Sequence, residues 1–240
     1  MKIRGVKMMW FGVAAAAAIS ASASAGPTQL RFHDVTTWGQ TNSGGPFEAE
    51  PIGFGAYAVQ GLGELGAAAG NYLTFCVEFN EHIGNNTTYN AKVNTSAVNG
   101  GVGGGNPDPL DARTAFLYTA FLKGTLDNKL FAFSGDSVSY GTAVMGEAVQ
   151  EAIWFVENEI TNVSGIAANI VAMADAAVGI GGEWFGKGIG SVRILNLTDP
   201  QTGDVRQDQL VLIPLPSAGL LGLAGLVGMG VLLGRRMVSV

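Results

Sequence analysis

Residues 142–160 read TAVMGEAVQEAIWFVENEI and carry the clearest periodic pattern in the chain. The apolar side chains recur every three or four positions, which puts them on one face of an α-helix. These side chains are Met145, Val149, Ala152, Ile153, Val156 and Ile160. The pattern therefore predicts an amphipathic helix whose apolar face packs on a protein core.

Two more helices are predicted on either side of this one. Asp108 or Asp111 can cap a helix that runs to Lys123, with Gly124 as the stop signal. The alanine-rich segment 166–178 predicts the other helix, because a glycine-rich stretch follows it directly.

Strand patterns precede and follow the helices. Segments rich in β-branched and aromatic residues lie at 28–35, 72–79, 191–197 and 209–213. We expect 72–79 to be a central strand, 38–51 to be a loop, 85–108 to be an exposed loop or hairpin, and 199–203 to be a turn. The order predicts an α+β fold, in which a barrel-like antiparallel sheet holds both ends of the domain and packs with two to three helices.

The first 25 residues have the order of parts found in a secretory signal peptide. Three basic residues, Lys2, Arg4 and Lys7, precede an apolar segment over 8–19 and a run of small residues. We expect the Sec translocon to engage this signal helix and signal peptidase to cut between Ala25 and Gly26. The alternative is a buried alanine-rich helix.

The C-terminal segment 213–240 combines a proline motif, an apolar span and a basic end. The uncharged span 219–233 is followed closely by Arg235 and Arg236. A helix over 215–233 would measure about 28 Å at about 1.5 Å per residue, close to the hydrocarbon thickness of a bilayer. The pattern predicts a transmembrane helix whose arginines stop transfer and stay in the cytoplasm. A permanent tail anchor is the alternative to a temporary one.

This C-terminal pattern resembles the PEP-CTERM class of sorting signals, and within it the VPLPA variant. The matching residues are Ile213, Pro214, Leu215, Pro216, Ser217 and Ala218, with Ile213 in place of Val and Ser217 inserted. The resemblance implies recognition by an exosortase, a membrane transpeptidase of Gram-negative bacteria. It also implies transient inner-membrane anchoring before the ectodomain, residues 26–212, reaches the cell surface or extracellular matrix.

Composition excludes several functions for the ectodomain. Five of the thirteen Lys and Arg lie in the two end segments, which contain no Asp or Glu, so eight basic residues face nineteen acidic ones. Such acidity argues against nucleic acid as a partner. His33 and His82 are far apart, so we predict no metal site, and no cofactor motif is present. No catalytic residues are predicted, and the single cysteine excludes an internal disulfide.

A second resemblance concerns that cysteine and the central helix. Phe75 and Cys76, followed far downstream by Gln150 and by Ala152, Ile153 and Trp154, resemble the paired motifs of thioester domains on bacterial surface adhesins. Val149 stands where that family has Thr. The resemblance implies an internal thioester between Cys76 and Gln150 that couples the protein covalently to surface amines, hydroxyls or glycans. Such a protein is an adhesin and not a turnover enzyme.

The chemistry requires the two side chains to meet. A thiolate can attack a carboxamide, expel ammonia and form a thioester when the groups are held in contact and water is kept away. If they do not react, the chain is a non-covalent biofilm-matrix or structural protein in which Cys76 is merely buried. A third alternative, a secreted polysaccharide hydrolase, needs two carboxylates from among Glu78, Glu81, Glu147, Glu151 and Glu157.

Overall fold

The structure is a computed structural model that describes residues 29–34, 38, 44–52, 70–98 and 101–213. The predicted signal peptide, its cleavage site and the sorting segment after Ile213 lie outside the described residues. Within the described part, no helix is both long and apolar enough to span a bilayer. The elements in chain order are β1 (Gln29–Asp34), β2 (Phe47–Ile52), β3 (Tyr72–Thr74), β4 (Thr87–Asn94), β5 (Ser96–Ala97), β6 (Asp108–Pro109), α1 (Ala112–Leu122), α2 (Leu126–Ser134), α3 (Ala143–Val156), α4 (Gly165–Val178), β7 (Val192–Thr198) and β8 (Val205–Leu212).

The described residues form an antiparallel six-stranded sheet with the order β3-β2-β1-β4-β7-β8. The sheet is curled into a half-barrel, and four helices accompany it. The α+β prediction is confirmed, and the first and last strands of the described residues, β1 and β8, both belong to the sheet. The described part has one helix more than the two to three that were predicted, because α2 was not predicted.

Hydrogen bonds join the two edge strands of the curled sheet. Cys76 forms an antiparallel bridge with Gln209, directly after β3. On either side of this bridge, Leu210 N donates to Phe75 O at 3.1 Å and Val77 N donates to Asp208 O at 3.0 Å. The prediction of a central strand over 72–79 is therefore wrong. β3 is short and lies at the edge of the sheet. After Thr74 the chain no longer pairs with β2 and forms hydrogen bonds with β8 instead.

The helix boundaries follow their capping signals. The side chain of Asp111 accepts a hydrogen bond from Arg113 N at 2.8 Å and so caps α1. Thr142 caps α3 in the same way, by accepting from Met145 N. α3 ends at Val156, one turn earlier than predicted, so Ile160 lies outside the helix. The third predicted helix is confirmed as α4.

Segments 38–51 and 85–108 both contain strands. β2 takes up the last five residues of 38–51, which was predicted to be a loop. Within 85–108, which was predicted to be an exposed loop or hairpin, β4 lies inside the sheet between β1 and β7, and the short strand β5 pairs antiparallel with β6. Pro51 is compatible with β2 because β3 pairs only with Phe47, Glu48 and Ala49, so that end of β2 is paired on one side only.

The helices and the sheet share one hydrophobic core. Phe116, Leu117 and Tyr118 of α1 are buried in it, as are Val149 and Ile153 of α3. The Tyr118 hydroxyl donates to the carbonyl oxygen of Leu73, which ties α1 to the edge of the sheet. Buried side chains thus anchor both helices in the same core.

Candidate functional site

Cys76 and Gln150 come from distant parts of the chain and meet inside the fold. Cys76 lies at the bridge between the two sheet edges, and Gln150 lies in the second half of α3. Both residues are fully buried, with no exposed surface.

Three hydrogen bonds hold the Gln150 carboxamide against the main chain of Cys76. Its Oε1 accepts from Cys76 N at 3.0 Å and from Gly45 N at 3.0 Å. Its Nε2 donates to Cys76 O at 2.8 Å. Both ends of the carboxamide are thereby bound, so its oxygen and nitrogen are oriented and it cannot rotate freely.

The two N–H groups on Gln150 Oε1 have the arrangement of an oxyanion hole. A nucleophile that attacks Cδ of Gln150 would move negative charge onto this oxygen. The N–H groups of Gly45 and Cys76 already point at it from buried positions, where a hydrogen bond to developing charge is strong.

The Cys76 thiol lies in the same group of contacts. It is a free cysteine, and burial raises its pKa to about 12, while Gln209 and the N–H groups of Cys76 and Gly45 oppose the rise. These two N–H groups are also the donors to Gln150 Oε1, so the same two groups act on the sulfur and on the carboxamide. Because the thiol keeps its proton at neutral pH, an attack on Gln150 must move that proton as the sulfur–carbon bond forms.

A strap of three residues, Gly44 to Pro46, lies directly on the pair. Gly44 has φ +103°, and a Cβ there would lie 2.6 Å from Gln150 Cγ and 2.8 Å from Trp154 Cη2. A Cβ on Gly45 would lie 3.2 Å from Gln150 Oε1. Gly44 therefore has no room for a side chain, and at Gly45 a Cβ would be tight, because the strap approaches Gln150 closely enough to donate a hydrogen bond to it.

Aromatic side chains surround the strap and the pair. Trp154 is almost fully buried and donates from Nε1 to the carbonyl oxygen of Glu78 at 3.1 Å. Its ring meets Phe79 edge to face, with centroids 5.0 Å apart, and Phe75 meets Phe121 similarly at 4.7 Å. Of the predicted supporting residues, Phe75 and Trp154 lie at the site.

The other two predicted supporting residues have a different role. Ala152 and Ile153 are fully buried in the hydrophobic core, where they fix α3.

A buried carboxyl group lies next to the thiol. Glu78 accepts a hydrogen bond from Asp208 N at 3.1 Å, and burial together with the charge of Asp208 raises its pKa to about 9. The neighbouring carboxyl group of Glu81 adds to this rise in the pKa.

Trp154 also borders a surface groove beside the site. The groove has a volume of about 320 Å³. It is lined by Phe79, Glu151, Trp154, Ile160, Asn162, Val163 and Ser164.

Among the described residues, no group of His, Cys, Asp and Glu side chains has the arrangement of a metal site.

Sequence reasoning missed the strap and Gln209. Residues 42–46 have the composition of a turn, and nothing local indicates that this turn reaches Gln150. Gln209 stands among polar residues in β8, and only the pairing of β8 with the chain after β3 shows that it faces the sulfur.

Comparisons with protein-family models, with curated proteins and with solved structures give no match for this chain.

Proposed function

We propose that this chain is an exported bacterial surface protein in which Cys76 and Gln150 form an internal thioester for covalent attachment. One observation carries the proposal: the carboxamide of Gln150 is held by three buried hydrogen bonds against the residue that bears the only sulfhydryl group. The carboxamide is thereby held in one orientation beside the cysteine, as formation of the bond requires.

The bond forms by exchange of nitrogen for sulfur at Cδ of Gln150. The sulfur of Cys76 attacks Cδ, and the N–H groups of Gly45 and Cys76 stabilise the charge on Oε1. The carbon–nitrogen bond then breaks. Nε2 leaves as ammonia, because it takes up the proton that the thiol loses, and no other reactant is needed.

In the attachment step, the sulfur of Cys76 is the leaving group. A surface amine or hydroxyl attacks the same carbon, the carbon–sulfur bond breaks, and the sulfur recovers a proton. The partner ends as an amide or ester of the Gln150 side chain. Burial of Cys76 and Gln150 protects the bond from water until the partner enters.

The address of the protein follows from its two ends. The signal peptide and the sorting segment support export, exosortase processing and display on the surface or in the matrix of a Gram-negative bacterium. N-terminal sequencing of the secreted protein tests the first step, with Gly26 expected as its first residue. Replacement of Arg235 and Arg236 by Ala tests the second, since mature protein should then be lost from the surface.

Intact mass tests the bond. Mature protein recovered from cells that express the full chain should have a mass about 17 Da below the mass calculated for its processed sequence. Methylamine should then add about 31 Da at Gln150. The Cys76→Ser and Gln150→Asn variants should show the unmodified mass and no addition. An unmodified wild-type mass with no reaction with methylamine contradicts the thioester.

A non-covalent matrix protein is the second candidate. The high pKa that burial gives the Cys76 thiol favours it, because such a thiol is a weak nucleophile. The same mass measurement separates the two functions.

A further inference from the structure

Gln209 is the side chain that contacts the sulfur of Cys76 from the opposite strand. It lies in β8, is fully buried, and donates from Nε2 to Sγ at 3.3 Å. The main-chain bridge between Cys76 and Gln209 fixes this position, so the contact follows from the closure of the sheet.

The other end of the same carboxamide has no partner. Gln209 Oε1 is buried and accepts no hydrogen bond from any described residue. A buried acceptor without a hydrogen bond destabilises the fold, so a fold that needed Gln209 only for packing would be more stable with an apolar residue here. Oε1 is bonded to the same carbon as Nε2, the group that contacts the sulfur. The unused acceptor therefore indicates a role for Gln209 during the reaction at Cys76.

We infer that Gln209 controls the opening of the thioester: its Nε2–H stabilises the sulfur as it leaves, and its Oε1 accepts an N–H of the entering nucleophile. This inference rests on the proposed function. The residue matches no part of the paired motifs that suggested the thioester.

The step balances with the groups present. The nucleophile's nitrogen forms a bond to Cδ of Gln150, and the carbon–sulfur bond breaks. The electron pair of the broken bond stays on the sulfur. The nitrogen loses one proton and the sulfur gains one. Gln209 supplies no atom, but its donor lowers the energy of the leaving sulfur, as its opposition to the raised pKa of Cys76 also indicates.

Hydroxylamine is a suitable probe, because it remains an uncharged nucleophile at lower pH than alkyl amines do. The opening rate is measured by the mass gain of about 33 Da on the fraction of protein that carries the bond. Gln209→Met keeps the length of the side chain but removes the donor, and it should open at least about tenfold more slowly. Gln207→Met is the control, since Gln207 is equally a buried glutamine of β8 but donates to Glu78 O, and it should open within about twofold of wild type.

The pH profile separates a direct role from a structural one. Gln209→Glu is nearly isosteric, and its carboxylate repels the leaving sulfur, whereas its protonated form can donate to it. The ratio of its opening rate to that of wild type should therefore rise as the pH is lowered.

Two results would overturn the inference in distinguishable ways. If wild type carries the bond but Gln209→Met opens at the wild-type rate and the Gln209→Glu ratio does not change with pH, only the role of Gln209 is lost. If wild type lacks the bond, the proposed function is lost and this inference with it.

Discussion

The side chain of Gln150 lies across the main chain of Cys76, taking that residue's N–H on its oxygen and giving its own N–H to that residue's carbonyl oxygen. The two contacts imitate one rung of a β-ladder, with a side chain in place of a strand. These contacts hold α3 to the sheet edge and fix the orientation of the carboxamide. Stability and the proposed thioester chemistry would therefore depend on one set of hydrogen bonds.

Replacement of Gln150 should be costly even when no thioester can form. In a Cys76→Ala background, Gln150→Leu leaves the N–H groups of Gly45 and Cys76 without an acceptor in a buried site. We expect the free energy of unfolding to fall by about 2–4 kcal/mol, measured by urea denaturation. Glu151→Leu, on the exposed side of α3, is the control and should change it by less than about 0.5 kcal/mol. A fall that small in Gln150→Leu would mean that the hydrogen bonds of Gln150 do not stabilise the fold.

The strap should tolerate no side chain at Gly44. Gly44→Ala adds a Cβ that overlaps Gln150 Cγ and Trp154 Cη2. Gly70→Ala is the matched control, because Gly70 has a similar φ of +92° and no described atom lies within 4 Å of its Cβ position. Both variants carry the strain of a positive φ, of order 1–3 kcal/mol, and Gly44→Ala should lose about 1–3 kcal/mol more from overlap. Equal losses in urea denaturation would show that the strap can move away from Gln150.

The sequence predicts those parts of the fold that local signals specify. α1 was predicted from its capping signals, α3 from its apolar periodicity, and α4 from its alanine content and the glycines that follow it. α2 was missed because it is short and its N-cap, Thr125, makes no side-chain cap. The extra strands, β2 and β4, are polar or contain proline, and their pairing depends on partners far away in the chain.

The candidate site divides in the same way. Cys76 and Gln150 could be paired because a motif resemblance joins them, although no rule of spacing would. Gly45 and Gln209 act through contacts that span 105 residues to Gln150 and 133 residues to Cys76. Such contacts are set by how the sheet closes, which single-sequence patterns do not contain.

If the proposed thioester forms, Trp154 should protect it from water. Trp154→Phe leaves a gap beside Gly44 and Gln150, and the bond should hydrolyse at least several-fold faster. The product is identified by a mass about 18 Da above that of the thioester and by its failure to react with hydroxylamine. Trp184→Phe is the control, because Trp184 also donates to a main-chain carbonyl oxygen, at Gly188, but lies away from the site. Equal hydrolysis rates in the two variants would contradict the protective role.

The buried carboxyl of Glu78 should make the fold less stable as the pH rises. Burial and the charge of Asp208 raise the pKa of Glu78 from 4.5 to about 9, and burial raises that of Asp208 from 3.8 to about 7. The folded protein thus holds protons that the unfolded chain releases above about pH 4.5. Unfolding then releases protons, so the free energy of unfolding is greatest below the unfolded pKa values and falls as the pH rises toward the folded ones.

Glu78→Gln should remove much of this pH dependence, because the amide stays neutral and can still accept from Asp208 N. In a Cys76→Ala background, the variant should match its parent in urea denaturation at pH 5 and exceed it at pH 8. Glu151→Gln, at an exposed position, should follow the parent at both pH values. A Glu78→Gln variant that is no more stable than the parent at pH 8 would mean that Glu78 is already ionised in the folded protein, and that its charge is compensated by the hydrogen bond from Asp208 N.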